Sequence, residues 1–513
     1  MFNIPTVTVA KTTLASAASS VTLEYAAPNG VSWTPRHLVL RVNAKSTTAA
    51  AVVGGRLQFN GDTGSNYNSQ ELYAVGTGTT ASRNTDVTSY YMGGLDGNDS
   101  NEFGGGELLI PDALSTRTHK SLLNFTGANE AFVGFVSGRW ASTAAVTSIN
   151  YSASSGNLAA GSTFELCVVD ESYNINEQIL GSDGSFTVGS ISAADGDLVV
   201  IGNLRDASSN YAQVSTYQLN GDSTATNYNV QKLEGAISSV QSSSENNNRF
   251  ASISGNTAAT SVYSPTVTQV TNFSDGSNDR VTTTLYGYHT GTSDTYNASV
   301  GARTSRWNNT AAITSYVLPL TYESGSMLST YAVPKNLIER VELGAAANIT
   351  FADIPQTYDH LELSVYARCD VDGDVKQYAV WFNGETTMSD FERQTMYAGN
   401  TTVAAFQHSS YVPGIIPGST STANVFGSQT IILQNYTLTD RHQSALILGG
   451  YTTRPEIQMS SGRWKNTAAI TSIYLECEDS GGGGENKFEA GTIVELRGIS
   501  STIPLAAGYT IFF

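Results

Sequence analysis

His37-Leu-Val-Leu-Arg-Val-Asn-Ala-Lys45 is an extended apolar run closed by a cation, and it returns as Asp197-Leu-Val-Val-Ile-Gly-Asn-Leu-Arg205 and His360-Leu-Glu-Leu-Ser-Val-Tyr-Ala-Arg368. At one fixed distance after Leu38, Leu198 and Leu361 comes a second box: Asn60-Gly61-Asp62-Thr63, Asn220-Gly221-Asp222-Ser223 and Asn383-Gly384-Glu385-Thr386. A third box closes each unit: Arg139-Trp140 with Thr143-Ala-Ala-Val-Thr-Ser-Ile149, Arg306-Trp307 with Thr310-Ala-Ala-Ile-Thr-Ser-Tyr316, and Arg463-Trp464 with Thr467-Ala-Ala-Ile-Thr-Ser-Ile473. The period is about 160 residues, long enough for each unit to bury a core of its own.

Alternation of apolar and polar residues at period two governs these runs, as in Leu361-Glu-Leu-Ser-Val-Tyr366 and Gly161-Ser-Thr-Phe-Glu-Leu-Cys-Val-Val169. That is the signature of half-buried strands. Asn-Gly, Asp-Gly and Ser-Gly pairs lie between them and form turns because they tolerate positive φ. Many short strands with regular turn signals predict an all-β chain of three tandem β-sandwich, jelly-roll-like domains. The expected boundaries are 1–172, 173–335 and 336–513. The second unit is the divergent copy: it lacks the histidines that align between the first and third (His37 with His360, His119 with His442), and Pro319 falls where its neighbours continue a strand. The third carries an uncharged apolar extension, Ser501 to Phe513, expected to add a strand to its own domain or to dock on a neighbour.

Charged residues are 14% of the 513 and the net charge is −18. Such a chain does not wrap nucleic acid, whose binding rests on neutralising phosphates with Lys and Arg. The N-terminus has neither a basic segment nor a continuous apolar core, so no signal peptide is expected, and no stretch reaches the roughly 20 apolar residues that span a bilayer. Cys167, Cys369 and Cys477 lack CxxC spacing and lie in apolar-alternating runs, so they read as buried thiols without a disulfide or zinc framework.

The Asn-Gly boxes read as hairpin turns in preference to sugar or cation sites. The tryptophans of the Arg-Trp boxes read as core plugs with the indole N–H bonded to backbone, in preference to exposed carbohydrate platforms. The aligned histidines belong to different units and take structural roles at strand ends. Asp370-Val-Asp-Gly-Asp374 resembles part of a calcium loop but lacks the later bidentate glutamate. No Gly-x-Ser-x-Gly elbow, phosphate loop or HExxH is present. Neither catalytic residues nor a cofactor is expected. The candidate residues are therefore the repeat boxes themselves: Leu38, Asn60, Gly61, Arg139 and Trp140, with their counterparts in the other two units.

The closing box, Gly-Arg-Trp-x-x-Thr-Ala-Ala-Ile/Val-Thr-Ser, together with Phe488-Glu-Ala-Gly491-Thr and Val494-Glu-Leu-Arg-Gly-Ile499, resembles a module of virion structural proteins of tailed bacteriophages. His360 to Arg368 followed by Phe382-Asn-Gly384 is similar to the opening of that module. The resemblance implies a non-enzymatic protein on the virion exterior, assembled in the host cytoplasm and built of jelly-roll-like domains. The expected role is capsid decoration or cement, bridging capsomers through the major capsid protein or other virion proteins, with one chain at a local three-fold position or as an arm of a homotrimer. The alternative is a tail or head fibre that recognises host surface glycans. Neither nucleic acid binding nor membrane insertion is expected.

Overall fold

The computed structural model describes residues 4–499 except 29, 98–100, 193–196, 272, 274–278, 292–296, 334–336, 409–413, 452–455 and 479–485. Among the described residues the chain is all-β, and the only helical elements are single 3₁₀ turns at Glu171–Tyr173, Ala225–Asn227 and Met388–Asp390. The first repeat contributes β1 (Thr6–Thr13), β2 (Ser20–Glu24), β3 (Leu38–Ala44), β4 (Val53–Phe59), β5 (Tyr67–Val75), β6 (Gly78–Val87), β7 (Tyr90–Leu95), β8 (Gly104–Ile110), β9 (Lys120–Ala128), β10 (Phe132–Trp140), β11 (Ser148–Ala153) and β12 (Thr163–Val169). One sheet contains β1-β12-β3-β8 and the facing sheet is β2-β11-β4-β7. This is the jelly-roll order, in which the chain alternates between two antiparallel sheets and its first strand pairs with its last. The jelly-roll expectation holds, with an addition. Hairpins β5–β6 and β9–β10 extend the first sheet to eight strands, β1-β12-β3-β8-β9-β10-β5-β6.

The segment from Leu337 to Ile499 repeats both sheets in the same order. The segment from Asn174 to Val333 repeats the eight-stranded sheet but splits the smaller one. Strand Tyr316–Tyr322 runs through Pro319, yet pairs with Gln218–Leu219 only at Tyr316 and Val317. A proline has no N–H for the ladder, so pairing stops beside it. Ala212–Thr216 then pairs separately with Arg249–Ser254. The expected boundary at 335 and the Ser501–Phe513 extension lie outside the described residues.

Each repeat buries a core between its own sheets. In the first, Leu38, Leu40 and Val42 meet Trp140, Ile149 and Phe164. Val39, between those leucines, points the opposite way into a different cluster, which also holds Leu72 and Phe135 of the first repeat, Val199, Leu233 and Val300 of the second, and Met396, Leu448 and Ile457 of the third. The central strands of the eight-stranded sheets are therefore buried on both faces, and the sheets pack against one another around a shared core. The edge strands β6, Ser239–Glu245 and Thr402–His408 all touch one another, so the arrangement closes into a ring.

The cysteines correct the sequence reading. Cys167 is a buried thiol, pushed up to about 11 by burial. Cys369 and Cys477, however, form a disulfide across a Cα–Cα distance of 6.0 Å. Cys477 lies on the strand Ile473–Glu478 and Cys369 follows the end of the strand His360–Ala367, which belongs to the facing sheet. That proximity across the sandwich leaves no trace in sequence spacing.

Candidate functional site: the closed ring of repeat contacts

The second and third boxes of each repeat recognise each other. The side-chain oxygen of Asn60 accepts the backbone N–H groups of Thr147 and Ser148 at 2.8 and 3.1 Å, while its Nδ2 donates to the Ala145 carbonyl at 2.7 Å. Asn220 makes the same three bonds to Thr314, Ser315 and Ala312, and Asn383 to Thr471, Ser472 and Ala469. The Asn needs a left-handed backbone to aim inward, and φ is 52, 52 and 53° at the three positions, with Gly61, Gly221 and Gly384 at 69, 72 and 75°. The pair therefore forms a turn, but not the expected hairpin: β4 and β5 on either side of it belong to different sheets. Its job is to clamp the Thr-Ala-Ala loop to the corner between the sheets.

Replacing Asn383 by Ala removes four hydrogen bonds and leaves in the left-handed region a residue without the side-chain amide that helps Asn tolerate it, a combined cost of about 2–3 kcal/mol. Asn383→Gly keeps the backbone at ease and loses only the bonds, so in urea denaturation it falls between the parent and the Ala variant.

Trp140, Trp307 and Trp464 are 2, 1 and 2% exposed, and Leu38, Leu198 and Leu361 are fully buried. The tryptophans are core plugs, but their indole partners differ from the expected backbone carbonyls. Trp140 and Trp307 Nε1 donate to the carboxylates of Asp62 and Asp222 at 2.7 and 2.8 Å. Trp464 Nε1 has no partner among the described residues, because the third repeat has Glu385 here and its carboxylate turns to the Thr387 N–H instead. Arg139 bonds to Asn68, Arg306 pairs with Asp279 at 2.5 Å, and Arg463 gathers Glu102, Glu130 and Glu392.

The boxes of different repeats are not brought into one cleft. What the repeats share is the ring between them. Gln70 Nε2 donates to the Ile237 carbonyl at 3.1 Å, Gln231 to the Asn400 carbonyl at 3.2 Å, and Gln394 to the Gly76 carbonyl at 2.8 Å. Each fully buried glutamine thus grips the hairpin turn of the next repeat, first to second, second to third and third to first. The sequence reading missed these residues. Their signal was available: each stands three residues after the aromatic that opens its strand, Tyr67, Tyr228 or Phe391.

The first residue of the opening box makes a second cycle. His37 Nε2 meets the Ser329 hydroxyl at 3.2 Å, Asp197 accepts from Arg497 at 2.7 Å, and His360 Nε2 meets Glu165 at 3.1 Å. In both histidines Nδ1 accepts a backbone N–H at 3.0 Å, from Asp112 and Asn435, which leaves Nε2 as the donor across the interface. The aligned histidines are thus strand-end groups that bridge repeats. The contact from third to first repeat, which no peptide segment spans, is rich in polar groups. Lys11 reaches Glu165 and Asp359 at 2.6 Å each, and Arg441 donates to Asn43 at 2.6 Å with its guanidinium 4.2 Å from the Phe103 ring centre. Asp370 accepts the Lys487 N–H and Asp374 the Thr420 hydroxyl. Among the described residues no cluster of three or more His, Cys, Asp or Glu is arranged to hold a metal.

Burial lowers the imidazole of His289, which meets the Ser137 hydroxyl of the first repeat at 3.1 Å, to about 3. Unfolded histidine titrates near 6.5, so from there down to about 3 the unfolded chain holds a proton that the folded chain does not, and stability falls as pH falls. In His289→Gln that penalty is absent. The parent's stability relative to the variant therefore declines by up to about 1.4 kcal/mol per pH unit below 6.5, or about 2 kcal/mol between pH 7.5 and 5. Urea titrations of both chains at the two pH values measure it. Glu130 and Glu362, which burial raises to about 7, titrate in both chains and cancel in the difference.

No family model matches the sequence, and no curated protein matches it. Among solved structures, the chain overlaps the LG1–3 region of the laminin alpha2 chain at 10% identity, covering 94% of this chain and 96% of that one with a TM-score of 0.15. Domains LG4–5 of the mouse laminin alpha1 chain overlap at 8% identity, covering 63% and 89%, with a TM-score of 0.16. At these scores the overlap carries no argument, and the fold stands on the strand order described above.

Proposed function

We propose that the chain is a non-enzymatic structural protein of a tailed-phage virion, displayed on the particle exterior as a capsid decoration protein that bridges capsomers from a local three-fold position. The observation that carries the reading is the cyclic closure of three jelly-roll repeats: Gln70, Gln231 and Gln394 make one contact three times around a shared core. One chain thereby offers the outline of a trimer, which suits a site where three capsid subunits meet. The resemblance of its boxes to phage virion modules supports the same reading. Its partners are then the major capsid protein or other virion proteins, met after synthesis in the host cytoplasm.

A second reading, a tail or head fibre that recognises host glycans, is favoured by one feature, a polar groove beside Arg36 and Arg117. Copy number on purified particles separates the two. Hundreds of copies per particle at local three-fold positions are expected for decoration. A dozen or a few dozen at the tail or a vertex would replace that reading by the fibre, and absence from particles would overturn both.

A further inference from the structure

A groove of about 310 Å³ opens on the first repeat, lined by Thr34, Pro35, Arg36, Leu114, Thr116 and Arg117, with Asp112 and Ser115 in its wall. Its size is that of a small-ligand site. Asp112, 1% exposed, is the anchor: its carboxylate takes Arg36 Nη1 at 3.2 Å and Arg117 Nη2 at 2.9 Å. Arg36 is committed elsewhere too, in a two-bond fork to Glu177 of the second repeat at 2.6 and 2.7 Å. Arg117 is different. Its side chain is 37% exposed and Asp112 occupies one edge of the guanidinium, so the rest of its planar fork of donors faces the groove.

Beneath the wall, Lys120 is fully buried and donates to the carbonyls of Ser115, Thr118 and Thr143 at 2.7, 2.9 and 3.2 Å. Arg36, Arg117 and Lys120 stand against Asp112, Glu177 and Glu171, so these groups balance to zero in a chain whose total is −18. The third repeat does not keep these residues. At the same register the third repeat has Asp359 for Arg36, Asp440 for Arg117, Gln443 for Lys120 and Asn435 for Asp112. The register is fixed by His37 and His360, whose Nδ1 atoms accept the N–H groups of Asp112 and Asn435.

We propose that this groove binds a sugar-sized ligand bearing one oxyanion, a carboxylate or a phosphate, with Arg117 reading the charge. The guanidinium fork matches the two oxygens of such a group, the exposed hydroxyls of Thr34 and Thr116 match ring hydroxyls, and Pro35 and Leu114 supply an apolar floor. Binding of this kind holds whether the chain sits on a capsid or a fibre.

The test is saturation-transfer NMR and calorimetric titration of the full chain with glucuronic acid, glucose 6-phosphate and glucose. Saturable binding of at least one acid, about tenfold or more tighter than glucose, is expected. The acid that binds identifies the oxyanion. Arg117→Gln loses that preference in a chain that still folds cooperatively, its melting temperature lowered because Asp112 keeps only Arg36, and Arg117→Lys, which keeps a charge without the fork, retains part of it. Equal affinity for glucose, no saturable binding of either acid, or an Arg117→Gln chain that binds like the parent overturns the assignment. Because the readout is ligand binding and not location on a particle, its failure leaves the copy-number test of the capsid reading untouched.

Discussion

Arg497→Met lowers folding stability by about 3–5 kcal/mol, although the new side chain fills much of the same volume. Arg497 is 2% exposed and stands among Asp197 of the second repeat at 2.7 Å, Glu362 at 3.0 Å, and Glu495, which it also contacts; all three carboxylates are at most 1% exposed. Removing the guanidinium leaves them in a dry interface with no central cation, and Glu362 loses the charge that opposes its burial. Even with Arg497 in place, burial raises Glu362 to about 7. Without it, carboxylates whose folded titration points lie above the unfolded value near 4.3 stabilise the fold at low pH and lose that contribution as pH rises. The defect is therefore largest above pH 7 and shrinks on acidification, the reverse of the trend expected for His289 alone. Urea denaturation at pH 5 and 8 reads both effects, and a loss under 1 kcal/mol at pH 8 would mean that these charges are hydrated.

Trp307→Ala costs a similar amount, about 3–5 kcal/mol, because an indole that is 1% exposed leaves a cavity the surrounding sheet cannot close. Trp307 stacks with Tyr228 and lies in the cluster of Leu198, Tyr316 and Phe186, so the damage falls on the core of the second repeat and not on the shared one. The phenylalanine variants divide the effect. Trp307→Phe loses one charge-assisted bond of about 1 kcal/mol to the Asp222 carboxylate, which keeps those from the Thr224 N–H and Asn227, whereas Trp464→Phe loses no indole bond. A calorimetric comparison in which Trp464→Phe proves the costlier of the two would contradict the assigned partners.

Much of one face of this fold was legible. Leu38, Leu40 and Val42 alternate with residues that a single jelly roll would expose, and the strand assignment followed. Hidden from that reading was the burial of the other face as well. Val39, Val199 and Leu446 look like ordinary strand residues, and only the meeting of three eight-stranded sheets makes them core. Alternation reports that one side of a strand is apolar; when both sides are covered it weakens into runs such as Leu198-Val-Val-Ile201 and Ile431-Ile-Leu433. The boxes were legible as repeats but not as partners, because the bond from Asn60 to Thr147 joins positions far apart in the chain. The Cys369–Cys477 bond was missed for the same reason. The Asn-Gly pairs were read correctly as turns and wrongly as hairpins, since positive φ says nothing about whether the flanking strands share a sheet.

The contact between the third and first repeats, the one no peptide bridges, changes how this ring responds to dilution. In a homotrimer every contact is intermolecular, so the assembled fraction falls steeply as protein concentration drops. Here the two covalent junctions hold the third repeat near the first at an effective concentration on the order of millimolar, fixed by geometry and independent of how many chains are present. The ring therefore closes in a single copy of the chain. Each of its three contacts is also encoded once, so the Lys11–Glu165–His360 network can differ from the Asp197–Arg497 cluster without forcing the same change at two other places.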